Sequence, residues 1–275
     1  MRKIIIYSFL ILSSLIMIYP LLWLFGASMK TNSEIFTSIW FMPEKIDFTA
    51  YINGWKTSGE YTMGHFFINT FMIILPKTIF AVISSSVTAY GFARFDFPFK
   101  KTSYILLLAV MLMPQITTIL PTYAMWEKFG MLDTYIPLTL PALFACEGVF
   151  VFILIQFFKG IPKELDEAAA LDGCGAIKTL FYIHMPCIKP AIVSIGVFTF
   201  LWTMNDFMSP LIYISSVEKY PLTLALRMSI DSTGQGYEQN KIIAMSILGL
   251  IPSILIFGLA QKQFESGITT GGVSG

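Results

Sequence analysis

Six long apolar blocks constrain this chain more than anything else in its sequence. A transmembrane helix needs about 20 consecutive, mostly apolar residues. The chain reaches or nearly reaches that length at 4–29, 66–93, 102–126, 134–158, 190–217 and 242–260. Three blocks carry no charge, and the others carry one each: Lys77, Glu147 and Asp206. Arg2 and Lys3 precede the first block as in a secretory signal, and Gly26-Ala27-Ser28 is a run of small residues. A signal core, however, is only about 7–15 apolar residues long, so the first block reads as a retained span. No internal repeat or low-complexity linker interrupts the pattern, and the loops are too short to bury a core of their own. The expectation is an all-α membrane protein with six transmembrane helices in a single domain, 1–275.

Basic residues set the orientation. One alternating set of connecting segments holds ten lysines and arginines, among them Arg2, Arg94, Lys159 and Lys262; the other set holds seven, in longer segments. The positive-inside rule places the denser set, and with it both termini, in the cytoplasm. The outer face then carries two loops, Lys30–His65 and Glu218–Lys241. Trp40, Trp55 and several tyrosines suit the first to an interfacial cap. A net charge of +1 gives no reason to expect nucleic acid. Cys146, Cys174 and Cys187 form no spaced pair and suit neither a disulfide framework nor a zinc site.

The longest cytoplasmic segment, 159–189, is polar in a chain that otherwise avoids polarity. Pro162 suits the first turn of a helix. Glu164, Asp166 and Glu167 crowd its N-terminal end, where the helix dipole favours acids. Ala168-Ala169-Ala170-Leu171 continues it, and Gly173 or Gly175 can end it in a left-handed conformation. A second short helix, about Ile177–Ile183, is expected to stop before Pro186. Ile161, Leu165, Ala168 and Ala169 share a face. Interfacial helices that meet anionic lipid are rich in lysine and arginine. This one is acidic, so a basic protein surface is the better partner.

The spacing of that block resembles the signature of the integral-membrane permease subunits of ATP-binding-cassette importers. Glu167, Ala168, Ala169, Gly173, Ile183 and Pro186 fall in register, with Met185 in place of the usual leucine. Phe66-Phe67-Ile68-Asn69-Thr70, Ala89-Tyr90-Gly91-Phe92-Ala93-Arg94-Phe95, Met113-Pro114-Gln115, Phe157-Phe158-Lys159-Gly160-Ile161-Pro162 and Asn205-Asp206-Phe207 look like the carbohydrate-uptake branch. The whole resembles the six-span second permease of the maltose-type system. The resemblance implies a type I importer permease fold in a bacterial cytoplasmic membrane. It implies a second permease subunit, two ATPase subunits and an extracytoplasmic sugar-binding protein as partners, besides lipid. ATP and Mg2+ would be held by the ATPase, for this chain has no Gly-x-x-x-x-Gly-Lys-Ser/Thr loop. Glu167, Ala168, Ala169, Leu171, Asp172, Gly173, Ile183 and Pro186 would form the coupling helix and its turn, seated in an ATPase cleft. The tail Gln261–Gly275 resembles the family's tail, which reaches the ATPase interface; on its own composition it also reads as a frayed end.

The intramembrane charges mark a second region. Lys77, Glu147 and Asp206 fall about midway along their spans, roughly 16–20 Å deep at 1.5 Å per residue. At that depth a charge is costly, so Lys77 is expected to pair with Glu147 or Asp206, the remaining carboxylate facing the path. Trp202, Asn205 and Asp206, within one turn of span five, are candidates to line a path for a hydroxyl-rich solute. Where relatives read Gly-Ser-Trp-Asn-Asp-Phe-Leu-Trp-Pro, this chain reads Trp202-Thr203-Met204-Asn205-Asp206-Phe207-Met208-Ser209-Pro210. Two rivals remain: a permease of the same class for a non-sugar solute, and a proton-coupled secondary transporter, for which the three charges speak. An enzyme is disfavoured, because His65 and His184 lie at opposite faces and no nucleophile or metal-ligand cluster appears.

Overall fold

The computed structural model describes residues 2–56, 60–114, 116–231 and 238–271, and every regular element among them is helical. α1 (Arg2–Ala27), α2 (Asn32–Thr37) and α3 (Thr49–Lys56) precede the long α4 (Met63–Arg94). α5 (Lys100–Met111) and α6 (Ile116–Lys128) follow. α7 (Ile136–Thr139) passes through a 3-10 turn, Leu140–Phe144, toward α8 (Gly148–Lys159). α9 (Glu164–Leu171) and α10 (Ala176–Thr179) lead through a π turn, Leu180–His184, into α11 (Met185–Cys187), α12 (Lys189–Met204) and α13 (Met208–Tyr213). α14 (Leu222–Asp231) and α15 (Gln239–Gly271) complete the chain. Four helices are long and apolar enough to cross a membrane. The number rises to six when two sharply bent helix pairs each count as one span.

The helices gather into two compact units. One unit comprises Met1–Asn69 with Tyr220–Pro252, the other Thr70–Lys219 with Ser253–Gly275. In the first, α1 is apolar on every side, and no residue of its most apolar 18-residue window is buried by the chain. A helix of that kind is covered by lipid or by another membrane chain. Its end requires glycine, because a Cβ at Gly26 would run into the Phe41 carbonyl. The following loop folds around Lys30, which is 1% exposed. The Lys30 ammonium donates to the carbonyls of Trp40 and Ser38 and lies 4.0 Å from Glu34. A buried cation persists only when surrounded by acceptors in this way. Asp47 accepts the Thr49 N–H and hydroxyl at the start of α3, and those bonds hold its carboxyl below the usual range. Trp40 and Trp55 lie exposed.

The second unit packs α4, α8 and α12 around Tyr90, Phe150, Leu154, Phe158, Leu180 and Ile195. Gly196 lets α12 approach α4: a Cβ there would sit 3.8 Å from Val82 and 3.9 Å from Thr78. On the loop after α6, Asp133 adopts a left-handed conformation, φ 57°. Its carboxylate accepts the Ser215 and Ser216 N–H groups, the Ser216 hydroxyl and the Lys219 ammonium at 2.6–3.0 Å. Burial alone would raise its pKa; the bonds from Lys219, Ser216 and Ser215 win and hold it far below the usual carboxylate range.

Three of the expected spans are not single helices. α5 and α6 meet at 104°, across Leu112–Pro114; Pro114 supplies no N–H and pushes Met113 away from helical geometry. Gln115 lies outside the described residues. Span four breaks between α7 and α8, where Ala145 takes φ 52°. Span five stops at Met204, and Asn205–Phe207 separate α12 from α13. The sixth block lies within α15, whose helix continues through the tail to Gly271.

Candidate functional site

α9 is built as the composition of 159–189 requires. Its first turn holds Glu164, Asp166 and Glu167 and no base, matching the positive end of the helix dipole. Of the two glycines that might end it, Gly173 does so, at φ +73°. The Gly173 N–H donates to Ala170 O at 3.1 Å and the Cys174 N–H to Ala169 O at 2.8 Å, the paired bonds of a Schellman motif. Nothing in the chain lies within 4 Å of where a Cβ at Gly173 would be. Conformation within this chain, not crowding, therefore selects glycine there. The second helical stretch does not stop before Pro186 as expected. The π turn at Leu180–His184 widens the helix just ahead of the proline, and Pro186 opens α11. A proline ring clashes with the carbonyl four residues earlier in an α-helix; the wider turn accommodates it. At Ile188 the stretch Ala176–Cys187 turns through 86° into α12.

The two faces of α9 differ in kind. Glu167, Ala168, Asp172 and Leu171 point away from the fold, and Leu171 is 90% exposed. Ile177 and Tyr182, on the helical stretch that follows, are also exposed, at 75% and 80%. Ala169 and Ile161 face inward and are buried, so the face expected to carry Leu165, Ala168, Ala169 and Ile161 together is split between fold and outside. Ile183 is half-buried.

Three residues that sequence reasoning did not place in the site organise its inner side. Asp166 turns inward, where Arg94 at the end of α4 and His184 in the π turn converge on its carboxylate. His184 Nε2 donates to Oδ1 at 2.5 Å, since a carboxylate can only accept. Arg94 Nε lies 3.3 Å from Oδ2, near enough to pair but misaligned for a hydrogen bond. Arg94 Nη2 also donates to Ile161 O at 2.7 Å. The His184 ring is fully buried between Tyr90 and Phe158, with centroids at 5.1 and 5.9 Å, and its Nδ1 has no partner.

The intramembrane charges fall otherwise than expected. Lys77 and Glu147 form no ion pair among the described residues, and neither is fully buried. Counting depth at a helical rise fails because Glu147 is not in a helix; it precedes α8 with φ −84° and ψ 76°. Asp206 likewise lies beyond the end of α12, where its Oδ1 accepts the Ser209 N–H at 3.0 Å. Trp202 and Asp206 therefore do not share a helix face. Asn205 closes α12, its amide donating to Leu201 O at 2.7 Å. Trp202 stacks on Phe150, centroids 5.2 Å apart and planes at 16°, with Phe198 at 6.0 Å. Phe150 lies three residues beyond Glu147 and Trp202 three before Asn205, so the stack sets the two helix breaks side by side.

Comparison with known proteins follows this geometry. Residues 81–270 match the family model described as "binding-protein-dependent transport system inner membrane component". The arabinooligosaccharides transport system permease protein AraQ of Bacillus subtilis is 30% identical, over 97% of this chain and 94% of its own length. The diacetylchitobiose uptake system permease protein NgcG of Streptomyces coelicolor is 27% identical, over 96% of this chain and 87% of its own. Among solved structures, a bacterial ABC transporter involved in import of the acidic polysaccharide alginate superposes with a TM-score of 0.79. It covers 96% of both chains at 20% identity, a likeness of fold.

Proposed function

The chain belongs to the family of inner-membrane components of binding-protein-dependent transport systems, and from that premise we propose that it carries an oligosaccharide inward, driven by separate ATPase subunits. It is a multi-pass permease. Its partners on this reading are a second permease, two ATPase subunits that hold ATP and Mg2+, and an extracytoplasmic sugar-binding protein. Both termini lie in the cytoplasm. The single observation that carries the reading is the split of α9. An acidic and apolar outer face, Glu167, Ala168 and Leu171, stands free while the inner face is fastened to α4. That outer face docks a basic, partly apolar cleft. The exposed charge of Glu167 contributes only ~0.2–1 kcal/mol and sets register; burial of Leu171 and its neighbours supplies most of the contact.

The path is read from the two adjacent breaks. Irregular backbone at membrane depth is tolerated only where protein buries it or where it lines a water-filled cavity. Here Glu147, Asn205 and Asp206 offer polar groups beside the half-exposed Trp202 ring, an arrangement suited to a sugar's hydroxyls and its apolar face. The test is to purify the tagged chain from its native membrane and reconstitute what comes with it. Diacetylchitobiose, an arabinooligosaccharide and an alginate oligosaccharide are then assayed for stimulating ATP hydrolysis and for accumulation. Accumulation that persists without ATP but collapses with a protonophore would overturn the reading.

A further inference from the structure

The coupling helix has to do two things. It has to hold the ATPase, and it has to pass the motion of the ATPase to the spans. The outer residues of α9, Glu167, Ala168 and Leu171, serve the first task and are exposed. The one polar side chain of α9 that reaches inward is Asp166, and both groups it meets belong to other elements: Arg94 to α4 and His184 to the π turn that precedes α12. We propose that Asp166 is the positioning residue that converts displacement of α9 into displacement of α4 and α12. This rests on the reading of α9 as the ATPase-docking helix.

Geometry supports the assignment at each joint. The Arg94 side chain is 7% exposed and His184 0%, so the two groups are held by packing and cannot move independently of the elements that carry them. Arg94 also grips the Ile161 carbonyl at the exit of α8. A single guanidinium thus joins α4, the end of α8 and the start of α9. His184 is wedged between Tyr90 of α4 and Phe158 of α8, so its ring ties the π turn that leads into α12 to those two helices. Asp166 itself remains 28% exposed, at the rim between the packed interior and the docking face. A carboxylate with two oxygens engaged on two elements resists rotation of α9 about its own axis, which one contact would allow. The inward side of α9 otherwise carries the buried Ala169, an apolar side chain that packs but makes no directional bond. The groups facing His184 are Asp166 from α9, Tyr90 and Arg94 from α4 and Phe158 from α8. Nδ1 makes no hydrogen bond, so none draws the ring away from Asp166.

Three variants of the native complex, with a fourth on the outer face as control, separate gripping from folding. Asp166→Asn keeps shape and removes the charge. His184→Gln keeps a donor, and His184→Phe keeps the ring's bulk without the donor. The readouts are ATPase subunit retained on purification, ATP hydrolysis, and accumulation of labelled diacetylchitobiose, arabinooligosaccharide and alginate oligosaccharide. Asp166→Asn and His184→Phe are expected to retain the ATPase subunit and at least half of its hydrolysis, while solute moved per ATP falls about tenfold or more. His184→Gln is expected to restore the ratio to within about twofold of the unmodified complex. Leu171→Asp, on the outer face, should instead shed the ATPase subunit. Asp166→Asn shedding the ATPase as Leu171→Asp does, or losing hydrolysis and uptake in parallel, overturns the proposal, as does an unchanged ratio. If Asp166→Asn fails to assemble, the His184 pair decides, and equal ratios for His184→Gln and His184→Phe overturn it. An unmodified chain that brings no ATPase subunit with it would refute the docking reading itself, a separate result.

Discussion

A side chain placed at residue 173 meets a conformational penalty before it meets any atom of this chain. The φ of +73° costs a non-glycine residue about 1–2 kcal/mol, and the space around a Cβ there is open. Gly173→Ala is therefore expected to insert and fold with a small loss of stability, whereas Gly173→Leu adds bulk on the docking side. The leucine variant should reach the membrane in normal amount and transport nothing, as judged by immunodetection and uptake side by side. Normal uptake would show that no partner approaches the turn. Asp133 works in the opposite sense, because its conformation is unusual and its side chain saturates the neighbourhood. Its carboxyl is depressed in the folded chain, so its contribution is complete above the unfolded value near 3.9 and is lost as pH falls below that toward the depressed value. Asp133→Asn is expected to lower the Tm at pH 7 by the equivalent of about 1–2 kcal/mol. The gap from the unmodified protein should narrow as the pH falls below 4, measured by thermal unfolding in detergent. A gap independent of pH would contradict the charge-based account.

At the scale of elements, the difference between hydropathy and backbone geometry becomes visible. α9 was legible as a helix because everything that makes it is local: acids at its start, alanines in its middle, a glycine at φ +73° after its end. The clamp beneath it was not legible, since Arg94 and Asp166 are distant in sequence and a charge at the end of a span reads as solvated or lipid-facing. The breaks in spans three to five were hidden for another reason. A hydropathy window measures composition, and Leu140–Phe144 is as apolar in a 3-10 turn as in an α-helix. What betrays the break is Ala145 in a left-handed conformation, which no pattern of residue types announces. The carbonyl of Ala142, within the 3-10 turn, accepts the Ser84 hydroxyl at 2.6 Å, a serine whose role in the sequence was indistinguishable from that of Ser85 or Ser86. The stack of Trp202 on Phe150 leaves half of the indole exposed beside these breaks. Trp202→Ala is expected to raise the solute concentration for half-maximal uptake by about 3- to 10-fold, the equivalent of roughly 0.5–1.5 kcal/mol for a ring contact. ATP hydrolysis in the absence of solute should stay unchanged. An unaltered half-maximal concentration would place the ring outside the path.

For the molecule as a whole, orientation follows from where charge accumulates. Arg94, Lys100 and Lys101, and Lys159 lie at ends of α4, α5 and α8, with Lys163 just before α9; by the positive-inside rule the proposed topology has these ends in the cytoplasm. A phosphatase fused after Gly275, active only when exported, is expected to be silent, and a cytoplasmic fluorescent reporter at the same place bright; the reverse would invert the whole topology. The six-span count survives in the structure only with bent pairs counted as spans, and that has a consequence for how the chain is made. α8 has 12 residues, about 18 Å of helix, against a hydrocarbon core of about 30 Å. A ribosome that has released α7 and α8 has delivered 24 residues, Ile136–Lys159, long and apolar enough to span, but interrupted at Ala145–Glu147 by a broken turn that nothing yet shields. Its shelter, the aromatic face of α12, is translated later. Synthesis therefore passes through an interval in which the nascent chain depends on insertion chaperones, and messages truncated before residue 189 should yield products that membrane quality control removes.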